Sequence, residues 1–290
     1  MTTAFMQVVE QRSVAALASG DLLPITTEQT DVLDQGLRFL VRWVSTLAAK
    51  DETKVAMPGG PRDPNFNPFL NPDPELLIGP VGDRHVAILN KFPVCANHVV
   101  LACREFQEQL SPLALDDFSA LATVMSEDGG LGFYNGGTEA GASQRHKHVQ
   151  WLPTAKGNAS LQFLVAGFPS DTPEHGVLSH PLLAFQHAFV KTQCGLGVTT
   201  ATSAASMHRA FQLACASLGL VTNDQGLLPP CNLLVEQGWL LLVPRLREHV
   251  GDVSVNALSY GGTLYVRHPE QVEPVRQMGP LAILTQAGIV

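Results

Sequence analysis

The sequence predicts an α+β protein whose strands form an antiparallel sheet. Short stretches rich in β-branched and other apolar residues come in closely spaced pairs, such as residues 86–89 with 98–102, and such pairs are typical of hairpins. Longer stretches with helical periodicity stand singly between the pairs, an alternation that favours an α+β fold over a doubly wound one. The chain also contains no glycine-rich GxGxxG, GxxxxGKS or GxxxxGKT loop, so Rossmann-type and P-loop cofactor sites are not expected.

The composition indicates a folded protein in a reducing compartment. The chain has 290 residues, of which 45% are hydrophobic and 15% are charged, and this suffices for one large or two modest domains. No apolar run approaches the ~18 residues of a membrane span, and Glu10 and Arg12 interrupt an N-terminus that does not resemble a signal peptide. The five cysteines form no CxxC pair, so we expect a cytoplasmic protein rather than a disulfide scaffold or a cysteine-rich zinc site.

The formal net charge of −8 restricts the partners. It argues against nucleic acid, because nucleic-acid-binding domains present broad basic faces. It still permits a small anion site at which a few cations converge. We therefore expect neither nucleic acid nor a membrane as a partner, and the sequence indicates no oligomeric state.

The elements are predicted in order from periodicity and turn residues. A first helix is expected over residues 27–49, because apolar residues recur there at helical spacing. The proline-rich residues 57–82 cannot form a regular element and are expected to be a long packed loop. The other expected elements are strands at 86–89 and 98–102, a helix at 111–125 ended by Gly129, a helix at 203–218 ended by Gly219, strands at 232–236 and 239–243, and a last strand at 262–267.

The residues that carry chemistry are concentrated between positions 133 and 153. A glycine-rich turn region is followed by His146, His148 and Gln150, which share one face of an extended strand, whereas Arg145 and Lys147 point to the other face. Three interpretations are open: polar residues on a surface strand, two ligands of a metal site, or an imidazole nucleophile that attacks phosphorus. For the metal, no cysteine or carboxylate clusters nearby to supply further ligands.

The segment His146-Lys147-His148-Val149-Gln150, preceded by Gly141-Ala142-Ser143-Gln144, resembles the catalytic signature of the ATP adenylyltransferases, also called diadenosine tetraphosphate phosphorylases. These enzymes belong to the histidine-triad superfamily, with Gln in place of the third His. Residues 89–93 with Asn97-His98, residues 67–74 and residues 253–262 resemble further family blocks. The resemblance therefore extends over residues 54–267 and implies a histidine-triad-like antiparallel sheet with flanking helices and a long proline-rich loop.

The resemblance also implies roles for individual residues. His148 would be the nucleophile that takes AMP, Gln150 would bind the transferred phosphate, and His146 would support the site. Thr263 and Arg267 stand where the family pattern has Met and Lys, so phosphate binding is expected there and nucleotide preference is less defined. The substrate-binding positions implied by the resemblance are Lys54, Asn90, Lys91, Asn135, Gly141, Ala142, Ser143, Gln144, Asn256, Ala257, Leu258, Thr263 and Arg267.

The reaction implied by the resemblance is the phosphorolysis of diadenosine tetraphosphate to ATP and ADP through an adenylyl-histidine, which is reversible. The expected partners are a dinucleoside polyphosphate, ATP, ADP, AMP and inorganic phosphate; no tightly bound cofactor is expected, and Mg²⁺ would be carried by the nucleotide phosphates. The alternatives are another histidine-triad transferase or hydrolase, with a sugar phosphate or water as acceptor, and a catalytically silent nucleotide sensor. Because matching blocks lie on both sides of His148, residues 1–170 and 171–290 are expected to form one catalytic unit.

Overall fold

The computed structural model describes residues 4–44 and 67–290, which form an α+β fold. The seven α-helices of these residues are α1 Ala4–Ser19, α2 Leu115–Asp128, α3 Gln162–Val165, α4 Thr200–Ser217, α5 Ala257–Tyr260, α6 Val272–Met278 and α7 Pro280–Ala287. The strands are β1 Thr27–Asp34, β2 Leu37–Val44, β3 Leu77–Val81, β4 His85–Leu89, β5 Val99–Cys103, β6 Leu131–Gly136, β7 His148–Leu152, β8 Val177–Leu178, β9 Ala188–Lys191, β10 Cys231–Glu236, β11 Trp239–Pro244, β12 His249–Val250, β13 Val253–Ser254 and β14 Thr263–Val266. No helix in these ranges is long and apolar enough to cross a membrane.

The larger sheet has nine strands in the order β3-β4-β5-β7-β6-β10-β11-β9-β8. Every neighbouring pair in it is antiparallel, which confirms the predicted sheet type. β6 and β10 pair in continuous register from Cys231↔Gly136 to Glu236↔Leu131. The strands on both sides of residue 170 therefore belong to one hydrogen-bonded surface.

The smaller sheet corrects the prediction for residues 27–49. The expected helix was wrong: β1 and β2 form an antiparallel hairpin, closed by Gln35 and Gly36 with φ of 47° and 84°, the positive angles of a tight hairpin turn. The apolar positions in this segment repeat at a spacing that fits either a helix or a pair of strands. The turn at Gln35 and Gly36, together with the strand pairing, favours the pair of strands. Residues 45–49 lie outside the described ranges. The sheet continues as β1-β2-β14-β13-β12, with β14 parallel to β2.

Three further differences separate the structure from the prediction, and two of them have a clear physical reason. Helix α1 was not predicted, because only Val9, Ser13 and Ala16 of its residues are buried, too narrow a stripe to read from the sequence. The proline-rich segment was expected to be irregular throughout, yet Leu77–Val81 is a strand. Pro80 is tolerated there because β3 is at the edge of the sheet. The predicted helices at 111–125 and 203–218 exist as α2 and α4, with shifted ends.

The larger sheet lies between two apolar cores. One core combines the helices α1, α2 and α4 with one face of the sheet, and Val149 and Trp151 of β7 point into it. The other core lies between the opposite face and the smaller sheet, and Leu152 belongs to it. Because side chains alternate along a strand, His148 and Gln150 face away from the helices, on the side of the smaller sheet.

Candidate active site

His148 is a buried, neutral imidazole with one ring nitrogen committed to the backbone. Its Nδ1 donates to the carbonyl oxygen of His146 at 2.8 Å, so the lone pair of the neutral ring is on Nε2. Burial lowers the pKa of His148 to about 4, although the hydrogen bond to the His146 carbonyl opposes this shift. The ring of Phe69 packs against His148 with centroids 4.9 Å apart. His148 is therefore unprotonated at neutral pH, with Nε2 available as a nucleophile.

Gln109 holds the backbone of His148 from the side. Its Oε1 accepts from the His148 amide at 2.8 Å, and its Nε2 donates to the carbonyl oxygens of Asn135 and His148 at 2.8 and 3.1 Å. The pairing of β6 with β7 ends at Phe133↔Gln150. Beyond this point, the buried side-chain amide of Gln109 bonds to the backbone groups of His148 and Asn135 that no longer pair with each other. Gln109 was not among the predicted site residues, because it lies in a loop far from the motif in sequence.

Gln150 is oriented by a chain of hydrogen bonds through His98. Asn90 Nδ2 donates to His98 Nδ1 at 3.0 Å, and His98 Nε2 donates to Gln150 Oε1 at 2.9 Å. Burial is the main cause that lowers the pKa of His98 to about 4, so this tautomer is neutral. Since Oε1 is occupied, the amide nitrogen of Gln150 is the group left to donate to a ligand. Asn90, which the resemblance places in contact with nucleotide or phosphate, holds His98 in this structure, and its expected ligand contact stays a prediction.

His146 contacts both His148 and the proline-rich loop. Its carbonyl holds His148, and its buried ring lies 3.0 Å from the Asn67 side chain and packs against Phe69 and Phe106. Burial lowers the pKa of His146. Asn67 and Phe69 belong to the proline-rich loop, so this loop packs directly on the two histidines.

Lys147 points to the helix side of the sheet, as predicted from strand alternation, and is only 2% exposed. Its ammonium lies 2.6 Å from Asp117 Oδ2, and Asp117 Oδ1 accepts from His85 at 3.0 Å. Burial alone would raise the pKa of Asp117, but the His85 hydrogen bond and the Lys147 charge hold it below its usual value. Arg145, also predicted on that side, is exposed and pairs with Glu108 at 2.5 Å.

The metal interpretation of the two histidines gains no support from the described residues. Within them, the one group of three metal-ligand side chains within 4.8 Å of one another is His85, Cys103 and Asp117, and it contains neither motif histidine. The Lys147 ammonium already occupies the cation position beside Asp117. Burial is the main cause that raises the pKa of Cys103 to about 12, so its thiol is neutral.

The predicted polyphosphate and nucleotide segments meet beside β6. Asn135 Oδ1 accepts from the Ala257 amide at 2.9 Å, and a Cβ at Gly141 would lie 2.8 Å from Asn256 Cβ. The amides of Gly141 and Ala142 donate within the turn, to Thr138 and Gly137. In the same segment, Ser143 is exposed and Gln144 is half-buried, so both side chains are accessible to other molecules. Leu258 is buried, and its amide donates to Asn256 Oδ1.

Of the remaining predicted residues, Lys91, Thr263 and Arg267 form no hydrogen bond or ion pair with His148 among the described residues. Lys91 is about half exposed and lies 3.9 Å from Asp73, and Lys54 lies outside the described residues. Thr263 is buried in β14 of the smaller sheet, and Arg267 is exposed just beyond the end of that strand. Within residues 4–44 and 67–290, no hydrogen bond or ion pair joins Thr263 or Arg267 to His148, His146 or Gln150.

The chain is similar in sequence and fold to several yeast proteins. The chain is 26% identical over 293 residues to diadenosine 5',5'''-P1,P4-tetraphosphate phosphorylase 2 of Saccharomyces cerevisiae, covering 92% of this chain and 88% of that protein. It is 22% identical over 306 residues to Protein APA1 of the same organism, covering 97% and 93%. The crystal structure of yeast Ap4A phosphorylase Apa2 has a TM-score of 0.78 at 25% identity and covers 99% of this chain and 98% of that one. Apa2 in complex with Ap4A has a TM-score of 0.73 at 24% identity, with the same coverage.

Two family models divide the chain between them. Residues 1–166 match the model described as the Ap4A phosphorylase N-terminal domain. Residues 181–290 match the ATP adenylyltransferase C-terminal domain. Since the first match alone spans more than half of the chain, and the HxHxQ strand lies within it, this protein belongs to the Ap4A phosphorylase/ATP adenylyltransferase family.

Proposed function

We propose that this protein is a nucleotidyltransferase that converts diadenosine tetraphosphate and inorganic phosphate to ATP and ADP through an adenylyl-His148 intermediate. The observation that carries the proposal is the state of His148, whose Nδ1 is bound to the His146 carbonyl while the ring stays neutral. A neutral imidazole with a fixed tautomer is a good nucleophile toward phosphorus at neutral pH. The family membership and the Ap4A and AMP complexes of yeast Apa2 support these nucleotides as ligands.

The proposed reaction has two transfers. His148 Nε2 attacks an α-phosphorus of the dinucleotide, the bond to the bridging oxygen breaks, and ATP leaves. An oxygen of inorganic phosphate then attacks the same phosphorus, the N–P bond breaks, and ADP leaves with His148 restored. The reverse sequence makes the dinucleotide from ATP and ADP.

Gln150 is proposed to stabilise the phosphoryl group during both transfers. Its amide nitrogen faces the ligand because His98 occupies Oε1. Donors aimed at the transferring phosphoryl lower the barrier most when they are held in place before the reaction. Lys91, Ser143, Gln144 and the Asn256 segment are proposed to bind the rest of the substrate; Lys54, Thr263 and Arg267 stay predictions from the resemblance.

We further propose that both halves act as one catalytic unit, supported by the continuous pairing of β6 with β10. No resident cofactor is part of the proposal, and Mg²⁺ would arrive with the nucleotide. A cytoplasmic location stays a prediction from the cysteine content.

The test is to incubate the protein with diadenosine tetraphosphate, with and without phosphate, and to separate the products. We expect ADP and ATP only when phosphate is present. Formation of AMP and ATP without phosphate would instead indicate a hydrolase, and no turnover with retained binding would indicate a nucleotide sensor.

The covalent step is tested with His148→Ala, and His187→Ala is the matched control. His187 is also buried and donates from Nδ1 to the carbonyl two residues earlier, at 2.7 Å, but its Nε2 accepts from the His180 amide at 2.8 Å. Turnover should disappear in His148→Ala and persist in His187→Ala, and mass spectrometry of the wild type should find AMP on the peptide containing His148. A fully active His148→Ala protein would contradict the intermediate.

A further inference from the structure

Arg245 is a buried cation that is bonded only to neutral groups. Its side chain is 3% exposed and follows β11 directly. The guanidinium donates to Asn232 Oδ1 and to the carbonyl oxygens of Val255 at 2.9 Å, Arg247 at 2.7 Å and Ala287 at 3.2 Å. Among the ion pairs of the described residues, none involves Arg245.

An unpaired buried charge is costly, so its presence calls for a reason other than stability. Burial lowers the pKa of Arg245, yet a guanidinium remains charged at neutral pH. The ring of Tyr260 lies 5.4 Å from the guanidinium, and its phenol is neutral because burial raises its pKa to about 12. The carboxylate that acts on Arg245 is Glu248, whose side chain is 35% exposed and accepts from Ser254 at 2.7 Å. Solvent therefore screens that carboxylate only in part, so it offsets some of the charge of Arg245 but does not neutralise it as the fully buried Asp117 neutralises Lys147.

The guanidinium lies directly behind the predicted polyphosphate and nucleotide segments. Asn232, which accepts from Arg245, donates from Nδ2 to Asn135 Oδ1 at 2.8 Å and to the Ala140 carbonyl at 2.9 Å. The Val255 carbonyl, which also accepts from Arg245, lies 3.4 Å from the position of a Cβ at Gly141. A single residue, Asn232, thus connects the buried charge to Asn135 and to the turn before Gly141. The charge also contacts directly the residue that precedes Asn256.

We propose that Arg245 supplies a positive potential that attracts the polyphosphate of the substrate from beneath the binding surface, without touching the ligand. The inference rests on the proposed function, because it takes an anionic adenine nucleotide as the ligand. A charge in a poorly polarisable interior acts over several ångströms far more strongly than one in water. This explains how a chain with a net charge of −8 can bind a polyanion with few exposed cations at the site.

The experiment measures binding of adenosine, AMP and ADP to the wild type, Arg245→Gln and Arg245→Lys by calorimetry at pH 8. The three ligands share a base and differ in charge: adenosine is neutral, AMP carries about two negative charges, and ADP carries about three. If Arg245 acts through its field, Arg245→Gln should weaken binding by about threefold per unit of ligand charge, hence about tenfold for AMP and about 30-fold for ADP. Adenosine should be unaffected, and Arg245→Lys should keep the wild-type ratio of ADP to adenosine affinity.

Equal losses for adenosine and ADP in Arg245→Gln would overturn the inference, since they would indicate a purely structural role. Arg42→Gln is the matched control. Arg42 is also buried and donates only to neutral groups, among them Gln29 and the Gly157 carbonyl, which are not predicted site residues. A charge-dependent loss of the same size in Arg42→Gln would also contradict the proposal.

If Arg245→Gln does not fold, Glu248→Gln provides the test, because it leaves every hydrogen bond of Arg245 in place. Removing this negative charge should tighten ADP binding and leave adenosine binding unchanged; unchanged ADP binding would overturn the inference. Failure of the proposed function is distinguishable, because a wild-type protein that binds none of the nucleotides would contradict both proposals at once.

Discussion

At the level of single residues, hydrogen bonds with fixed direction decide which atoms can react. The bond from His148 Nδ1 to the His146 carbonyl leaves Nε2 as the nitrogen that can act as the proposed nucleophile. The bond from His98 to Gln150 Oε1 leaves the amide nitrogen of Gln150 as the group that can donate to the phosphate in the proposed reaction. Neither choice can be read from a list of conserved residue types, because a tautomer and an amide orientation depend on the neighbours.

His98 is expected to act on catalysis through Gln150. In His98→Ala the Gln150 amide loses its partner and can rotate its oxygen toward the phosphate, so kcat should fall about 10-fold to 100-fold with little change in KM. The measurement is a double-mutant cycle of phosphorolysis rates with Gln150→Ala. Because the two side chains would act as one unit, His98→Ala should have little further effect in the Gln150→Ala background. Additive losses would mean that His98 acts independently of Gln150.

The buried histidines make stability depend on pH. The pKa values of His98 and His148 are about 4 in the folded protein, below the ~6.5 of an unfolded histidine. Below pH 6.5 the unfolded state therefore binds more protons, so the stabilisation is complete above pH 6.5 and is lost as the pH falls through 4. Urea unfolding between pH 7 and 4 should show a falling free energy of unfolding, by at most about 3 kcal/mol per histidine. A smaller slope is expected for His98→Asn, and an identical slope would contradict the assignment.

At the level of elements, the strand β7 is held from both sides. On one side, the Gln109 side chain bonds to the backbone of His148 and of Asn135 in β6, where the strand pairing has ended. On the other side, Lys147, directly before β7, forms an ion pair with Asp117 at the start of helix α2. The same carboxylate accepts from the Ala114 amide at 2.7 Å, the N-cap position of α2. The catalytic strand and this helix are therefore joined by a buried ion pair.

Breaking this pair by removing one partner should be more harmful than removing both charges. Lys147→Met leaves the Asp117 carboxylate buried without its cation and should lower the free energy of unfolding by about 3–5 kcal/mol. Lys147→Met/Asp117→Asn should be more stable than the single variant, because the side chain at 117 is then neutral and still accepts hydrogen bonds. The measurement is urea unfolding, with the exposed Lys156→Met as a control expected within about 0.5 kcal/mol of the wild type. A double variant less stable than Lys147→Met would contradict this account.

At the level of the whole molecule, the nine-stranded sheet passes without a break from the N-terminal to the C-terminal residues. β6 with β10 forms the joint, and Asn135 of β6 also binds Asn232 of β10 and the Ala257 amide. The predicted nucleotide segments are thus assembled from both halves. Each half by itself would leave a strand edge and part of the site exposed.

The two halves are therefore expected to unfold together. Trp151 reports on β7 and Trp239 on β11, so variants that lack Trp43 and keep only one of these two allow each half to be followed by fluorescence. We expect the two urea transitions to coincide, because β6 and β10, which join the halves, cannot separate without exposing apolar sheet surface. Two separated transitions would show that residues 1–170 and 171–290 fold independently.

Several elements were predictable and others were not, for identifiable reasons. The strands around Leu233 and Leu241 stand out because two predominantly apolar runs separated by Gln-Gly are typical of a hairpin. The hairpin at Gln35 was missed because its apolar spacing also fits a helix, and strand pairing with the distant β14 settles the ambiguity. The site residues His98, Gln109, Asn232 and Arg245 were not predicted, because a buried polar residue is recognised by its partners, which are remote in sequence.

The sequence by itself determined that this is an α+β protein, that it is acidic and that His146, His148 and Gln150 share a face, because composition and strand periodicity are local properties of the chain. It also carried the motif by which its family resemblance was recognised. The tertiary structure alone decided which ring nitrogen of His148 is free, which end of the Gln150 amide faces the ligand and where the unpaired charge of Arg245 lies. These depend on contacts between residues far apart in the chain, and on burial, which the order of residues does not specify.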